Sequence, residues 1–262
     1  MSNRFLRWTA YVLVAALFAT ACVFLSRWQF DRNEWRAGQI ALVEQNYDAP
    51  PVALNTLIGA DGALDAGDEW RPVRLVGQYA TDDVLLVRNR PHGGTRAFEV
   101  LVPLHLESGE IVIVNRGWVV PGRDDVPDAV PTPATGTVEV IVRLRPGEPL
   151  PQSGRGAPDG QLPTLHLPLV AETTGAATFT DFYGEVVSES PAAGALGALP
   201  KPTEDPGPYL SYAIQWILFA VMGFVFIWYI IRTESSRRDD VADNKSRRRD
   251  RDADAEDALL DA

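Results

Sequence analysis

WTAYVLVAALFATACVFLSRWQFDRNEWR, residues 8–36, changes character halfway along. From Trp8 to Leu25 no residue is charged, whereas Ser26 to Arg36 packs Trp28 and Trp35 among five charges. The uncharged part is about as long as a helix crossing the hydrocarbon of a bilayer. A second such block, YLSYAIQWILFAVMGFVFIWYII (Tyr209 to Ile231), lies near the other end. With 46% hydrophobic residues over 262 positions, two such blocks predict a membrane protein with transmembrane helices over residues 8–26 and 209–231.

Basic residues near the spans set the orientation. Arg232, Arg237 and Arg238 follow the second block, while Lys201 stands beside Glu204 and Asp205 before it. That places residues 232–262 in the cytoplasm and, with two spans, residues 1–7 as well. At the first block Arg4 and Arg7 are balanced by Arg27, Arg32 and Arg36, so the orientation rests on the C-terminal end. A cleaved lipoprotein signal ending at Ala19-Thr20-Ala21-Cys22 is the rival reading. It lacks the large aliphatic residue usual three places before the cysteine, and the apolar run continues through Leu25. Cys22 is the sole cysteine, so no intrachain disulfide is possible.

Residues 27–208 are read as an extracytoplasmic domain. They carry 14 Lys and Arg against 25 Asp and Glu, which accounts for the whole formal charge of −11. Such a surface excludes nucleic acid as a partner class. The tail, 232–262, mixes both signs without aromatic residues or an apolar face, and is expected to be disordered with its basic half near anionic lipid headgroups.

Inside the domain the dominant period is two. In TVEVIVRLRP, Val138, Val140, Val142 and Leu144 alternate with mostly polar residues, as on a half-buried strand. AFEVLVPLHL and IVIVNRGWVV, joined by Glu107-Ser108-Gly109-Glu110, read as a hairpin, and WRPVRLVGQYA and VLLVRNRP as another strand pair. Helical pattern is confined to Trp28–Glu44 and a short piece over Pro168–Thr174. The fold class predicted is two transmembrane helices flanking a mainly antiparallel β domain, α+β overall. Pro146–Pro163 and Pro191–Pro208 read as loops.

If the first helix continues past the bilayer, Trp28, Arg32 and Trp35 fall at i, i+4 and i+7 on one face. On residue chemistry alone this is an aromatic and basic belt at headgroup level. The order W-Q-x-x-R-x-x-W-R (Trp28, Gln29, Arg32, Trp35, Arg36), then Arg71-Pro72-Val73, then Asn115-Arg116-Gly117-Trp118-Val119, then Tyr212-Ala213 and Trp216, resembles the surfeit locus protein 1 family of cytochrome c oxidase assembly factors, in a bacterial, actinobacterial-like form. The resemblance implies two membrane helices around an extracytoplasmic β domain. It also implies a non-enzymatic role in placing haem a in oxidase subunit I, as an assembly factor or as an accessory subunit in a supercomplex, with haem A synthase a further partner.

The chain departs from that family at one position. Members commonly carry a histidine before the leucine opening the second span, where this chain has Tyr209-Leu210-Ser211-Tyr212-Ala213. No histidine lies in either span, which leaves Tyr209 as the substitute axial ligand. A tyrosine facing the membrane is more often an interfacial anchor than a ligand. Arg88, Arg90 and His92, in RNRPHGGTR, form a second candidate, a loop able to hold a carboxylate or haem propionate. Its bland reading is a solvated hairpin loop. Gly117 suggests a bulge or close backbone approach, Trp118 reads as core or surface, and Arg116 is open to a carboxylate. Gln215, a lone amide in a span, needs a partner in the first helix or in another membrane protein, and with Trp216 marks an interaction face.

Catalytic patterns are missing from the sequence. His92, His105 and His166 lack metal-ligand spacing, and neither a nucleophile elbow nor a phosphate-cradling glycine loop occurs. The acidic pairs Asp82-Asp83 and Asp124-Asp125 sit in turn-like contexts. The alternative is a membrane-tethered interaction or sensing module, unrelated to haem, whose outer domain binds a partner and whose tail reports inward.

Overall fold

The computed structural model describes residues 2–59, 62–123, 126–154 and 156–260. The Asp124-Asp125 pair lies outside them. The chain divides into two compact units, Met1–Ala37 with Asp205–Ala262, and Gly38–Glu204.

Helix α1 (Ser2–Asn46) runs unbroken through the apolar block and the Trp/Arg segment. No proline interrupts it, and Pro50-Pro51 forbid its extension. The elements that follow are β1 (Val52–Ala53), β2 (Pro72–Tyr79), β3 (Leu85–His92), β4 (Thr95–Leu106), β5 (Ile111–Val119), β6 (Thr137–Pro146), β7 (Gln161–Leu162), α2 (Leu167–Thr174), β8 (Phe182–Ser190) and α3 (Tyr209–Leu260). Two helices are therefore long and apolar enough to cross a membrane, Phe5–Asn46 and Tyr209–Arg237.

One mixed sheet holds all eight strands in the order β1-β2-β6-β8-β5-β4-β3-β7, and an extra β2–β4 pairing closes β2, β6, β8, β5 and β4 into a ring. Most pairings are antiparallel, but β1–β2, β3–β7 and β5–β8 are parallel. The β4–β5 hairpin forms as its polar loop predicts. The expected β2–β3 pair does not, because β4 is long enough to serve both. Its first half pairs with β3 (Leu85↔Leu101 through His92↔Thr95), and its last residues pair with β2 (Gly77↔Leu106). Gly77 lets the ring close, since a Cβ there would strike the carbonyl oxygen of His105.

Alternation drives the packing. Val73, Leu75, Val100, Val102, Val112, Val114, Val138, Val140, Val142, Leu144 and Phe182 meet inside the ring with essentially no exposure. Each such aliphatic side chain contributes about 1.5–3 kcal/mol on burial. A second cluster, with Leu101, Ile111, Ile113, Leu165, Leu167, Val170 and Tyr183, forms where α2 covers the outer face.

The tail differs from its expected disorder, because α3 continues as helix to Leu260. Ala, Asp, Glu, Lys and Arg without Gly or Pro sustain the helix after the apolar face ends, helped by i,i+4 pairs such as Asp243 with Arg247 at 3.1 Å.

In the first unit α1 and α3 form an antiparallel hairpin. Ala15, Ala19, Cys22 and Ser26 on α1, and Ala213, Ala220 and Gly223 on α3, turn inward. This alternating small-residue spacing lets two helices approach closely. Ser26 Oγ donates to the Ala213 carbonyl at 3.0 Å. Toward one end Arg7 and the Trp8 indole bind Glu234, and toward the other Arg36 Nε donates to the Asp205 carbonyl at 3.0 Å.

Candidate functional site

Asn115-Arg116-Gly117-Trp118 occupies the end of β5, where the strand leaves β8 behind after the Asn115↔Glu185 pair. Into the resulting gap goes Arg116, whose side chain is only 2% exposed. Its guanidinium forms a two-pronged pair with Glu189, Nε to Oε1 at 2.7 Å and Nη2 to Oε2 at 2.8 Å. It also donates to the carbonyls of Pro131 and Ala193. The Tyr79 hydroxyl donates to Glu189 at 2.7 Å, and burial, with that carboxylate beside it, raises the phenol pKa well above its ordinary value. Burial works against the Arg116 charge, but Glu189 more than offsets it and the pKa rises. Arg116 is thereby committed within the chain and is not presented to a partner.

Gly117 has φ 127°, and a Cβ there would meet the carbonyl of Gly197, confirming the close approach expected from sequence. Trp118 exchanges backbone hydrogen bonds with Gly197, and its indole N–H donates to the Ala198 carbonyl at 3.0 Å. Its ring stacks on His92, centroids 5.3 Å apart and 6° from parallel.

The Arg88–His92 segment is not a solvated loop. A bulge between Val87 and Arg90, with Asn89 at φ 59°, re-aims the strand so that Arg90 and His92 meet Glu99. His92 Nε2 lies 3.2 Å from Glu99 Oε1, Asn115 Nδ2 donates to Glu99 Oε2 at 2.8 Å, and Arg90 pairs with Glu148 at 2.5 Å. Burial opposes the Glu148 charge, but Thr164, Arg90 and the Leu165 N–H together hold its carboxyl below the usual range. The carboxylates that Arg90 and His92 were expected to take from a ligand are thus supplied by the chain itself. Arg88 does not bond to this cluster, and its buried Nε has no partner among the described residues.

A third grouping escaped sequence reading. Arg143 lies 3.5 Å over the Tyr47 ring and Arg145 3.6 Å over Trp70, while Arg145 also pairs with Glu69 and Glu185 at 3.1 and 3.0 Å. Burial pushes the Glu185 carboxyl above its usual range despite Arg145. The alternate arginines of β6 were the available signal, but their aromatic partners stand 75 or more positions away.

On the helices, Trp28, Arg32 and Trp35 share one outward face of α1. Both tryptophans are more than half exposed, and Arg32 sits 4.6 Å over the Trp35 ring. Gln29 is half-buried, its Oε1 without a partner among the described residues. Tyr212 and Gln215 are exposed, whereas Trp216 is half-buried in the hairpin and edge-on to Phe219. Gln215 and Trp216 therefore do not form one face, as adjacent helical residues point roughly 100° apart. Tyr209 packs beside Gly207 at the start of α3 and belongs to the first unit, whereas Arg88, Arg90 and His92 belong to the second.

A profile described as the SURF1 family matches residues 16–221. An uncharacterized SURF1-like protein of Mycobacterium tuberculosis is 34% identical over 236 residues, covering 88% of this chain and 86% of that protein. One from Mycobacterium bovis matches equally. A SURF1-like protein of Drosophila melanogaster is 26% identical over 245 residues, 86% of this chain and 76% of its own length.

Proposed function

The chain belongs to the SURF1 family, and from that premise we propose that it is a two-span membrane protein serving haem-copper cytochrome c oxidase, as an assembly factor or accessory subunit that assists haem a placement in subunit I. The β barrel lies outside the plasma membrane and both termini lie in the cytoplasm. The observation that carries this reading is the outward face of Trp28, Arg32 and Trp35, which continues α1 directly beyond its apolar block and stays exposed. Exposed aromatic and arginine side chains of this kind anchor protein interfaces. Membrane lipid and haem A synthase complete the set of partners.

Haem a is cargo in this reading, delivered to the oxidase. The residues present do not match a resident axial site built on histidine: neither apolar helix contains one, and His92 is held between Glu99 and Trp118. The service rendered is accordingly to the receiving subunit, held in shape by helix and collar contacts. No catalytic step is assigned to the chain.

Deleting the protein should lower the haem a signal in reduced-minus-oxidised membrane spectra while leaving haem b of other complexes intact, and a C-terminal tag should co-purify oxidase subunits. Unchanged oxidase spectra would overturn the proposal. They would support the tethered sensing module, whose one favourable observation is that α3 runs without a break from the apolar segment into the tail.

A further inference from the structure

Gln215 places a primary amide on a face of α3 turned away from α1, and we propose that this face pairs with its counterpart on a second copy of the chain, forming a parallel α3–α3 dimer inside the bilayer. The proposal rests on the membrane-spanning reading above. Ser211, Gln215, Leu218, Met222, Val225 and Tyr229 recur at alternating steps of four and three, the spacing that keeps one stripe of a helix against a parallel partner. All six are exposed, the last four by 55–58%. With 3.6 residues per turn, Gln215 points roughly 160° away from Ala213, which faces α1.

Exposed leucine or valine needs no protein partner in lipid, but an amide does. Gln215 brings two N–H donors and an acceptor oxygen. None of the polar ties of the hairpin, Ser26 to Ala213, Arg36 to Asp205, or Arg7 and Trp8 to Glu234, involves it. It stands six residues into α3, roughly 9 Å along the axis, and so below the headgroups. Water does not reach that depth to satisfy it.

Symmetry supplies the occupant. Two copies inserted in the same sense carry α3 in the same direction, so a two-fold axis along the membrane normal brings Gln215 to Gln215 at equal depth. Each amide then donates to the other's oxygen. One polar residue in an otherwise apolar seam also sets register and orientation. An unrelated helix would need a matching polar group at that same depth, a requirement that a second copy meets by symmetry.

Cross-linking in native membranes tests this, in a Cys22→Ala background with single cysteines. Leu218→Cys, Met222→Cys and Val225→Cys should give a disulfide-linked species of twice the chain mass on copper-phenanthroline oxidation. Ile217→Cys and Phe224→Cys, on a different face, should not. Adding Gln215→Leu should cut the Met222→Cys product about fivefold. Absence of cross-links, equal cross-linking on both faces, or a product of the chain with a different protein would each overturn the dimer. Carbonate extraction separates the two levels of the argument: uncross-linked protein retained in the membrane pellet refutes the dimer alone, whereas protein released to the supernatant refutes the membrane reading beneath it.

Discussion

Arg116 and Arg32 are the same residue type, each close to tryptophan in a motif shared with the resembling family, yet they end in opposite circumstances. Arg116 is enclosed where β5 parts from β8, its donors taken up by Glu189, Pro131 and Ala193. Arg32 lies on an outward helix face over Trp35. The contrast teaches that a motif's chemistry does not announce its use: one arginine is spent on bonds inside the fold, the other stays on an exposed helix face.

The contrast breaks most visibly at Arg116. Arg116→Ala leaves Glu189 buried beside an unoccupied space, a loss of about 3–5 kcal/mol. Denaturant unfolding of the purified, detergent-solubilised chain should report it, and a wild-type midpoint would mean that the pair is not the brace described. Next in size is the collar. Trp28→Ala with Arg32→Ala and Trp35→Ala should cost about 2 kcal/mol or more in oxidase association, roughly a thirtyfold loss in co-purification, as expected for aromatic and arginine anchors. The same triple variant should move barrel unfolding by less than about 0.5 kcal/mol, the usual effect of exposed substitutions. Loss of the fold in that variant would erase the distinction between the two regions.

The smallest effects are on pH dependence and have opposite signs. Glu148 has a folded pKa below the ordinary 4.5, so its contribution is present above 4.5 and disappears as pH falls through the lower folded value. Glu185 has a folded pKa above 4.5, so its contribution is complete below 4.5 and is lost as pH rises through the higher folded value. Glu148→Gln should flatten the acid limb of the stability curve, and Glu185→Gln should remove the decline on the other side. Identical changes in slope would contradict the environments assigned to the two carboxyls.

Local features were legible in the chain and long-range ones were not. The two long apolar helices, the β4–β5 hairpin, helix α2 and the tight approach at Gly117 follow from runs, turns and periods a few residues long. The mistaken β2–β3 pair followed from assuming that neighbouring strands pair, when a twelve-residue β4 offers its edge to two of them. Arg116 could not be assigned because Glu189 is 73 positions away. The inward-facing Ala15, Ala19, Cys22 and Ser26 stand at three- and four-residue steps, but the helix they pack against is 187 positions away at the Ser26–Ala213 contact, so their spacing alone does not name a partner. Charge and the lack of an apolar face, the legible features of the tail, say little about a helix that inherits its nucleus from the apolar segment before it.

The polar ties of the helical hairpin carry a mechanical corollary. Arg7 meets Glu234 and Arg36 meets the carbonyl of Asp205, four residues before α3 begins, so α1 runs 29 residues between fasteners, roughly 43 Å of axis, and α3 runs 25, roughly 38 Å, lengths close to the full depth of a bilayer with its headgroups. Pinned at each extremity, neither rod slides past the other. If the pair spans a bilayer, a thinner or thicker one is met by tipping the pair as a rigid stave or by deforming the lipid around it.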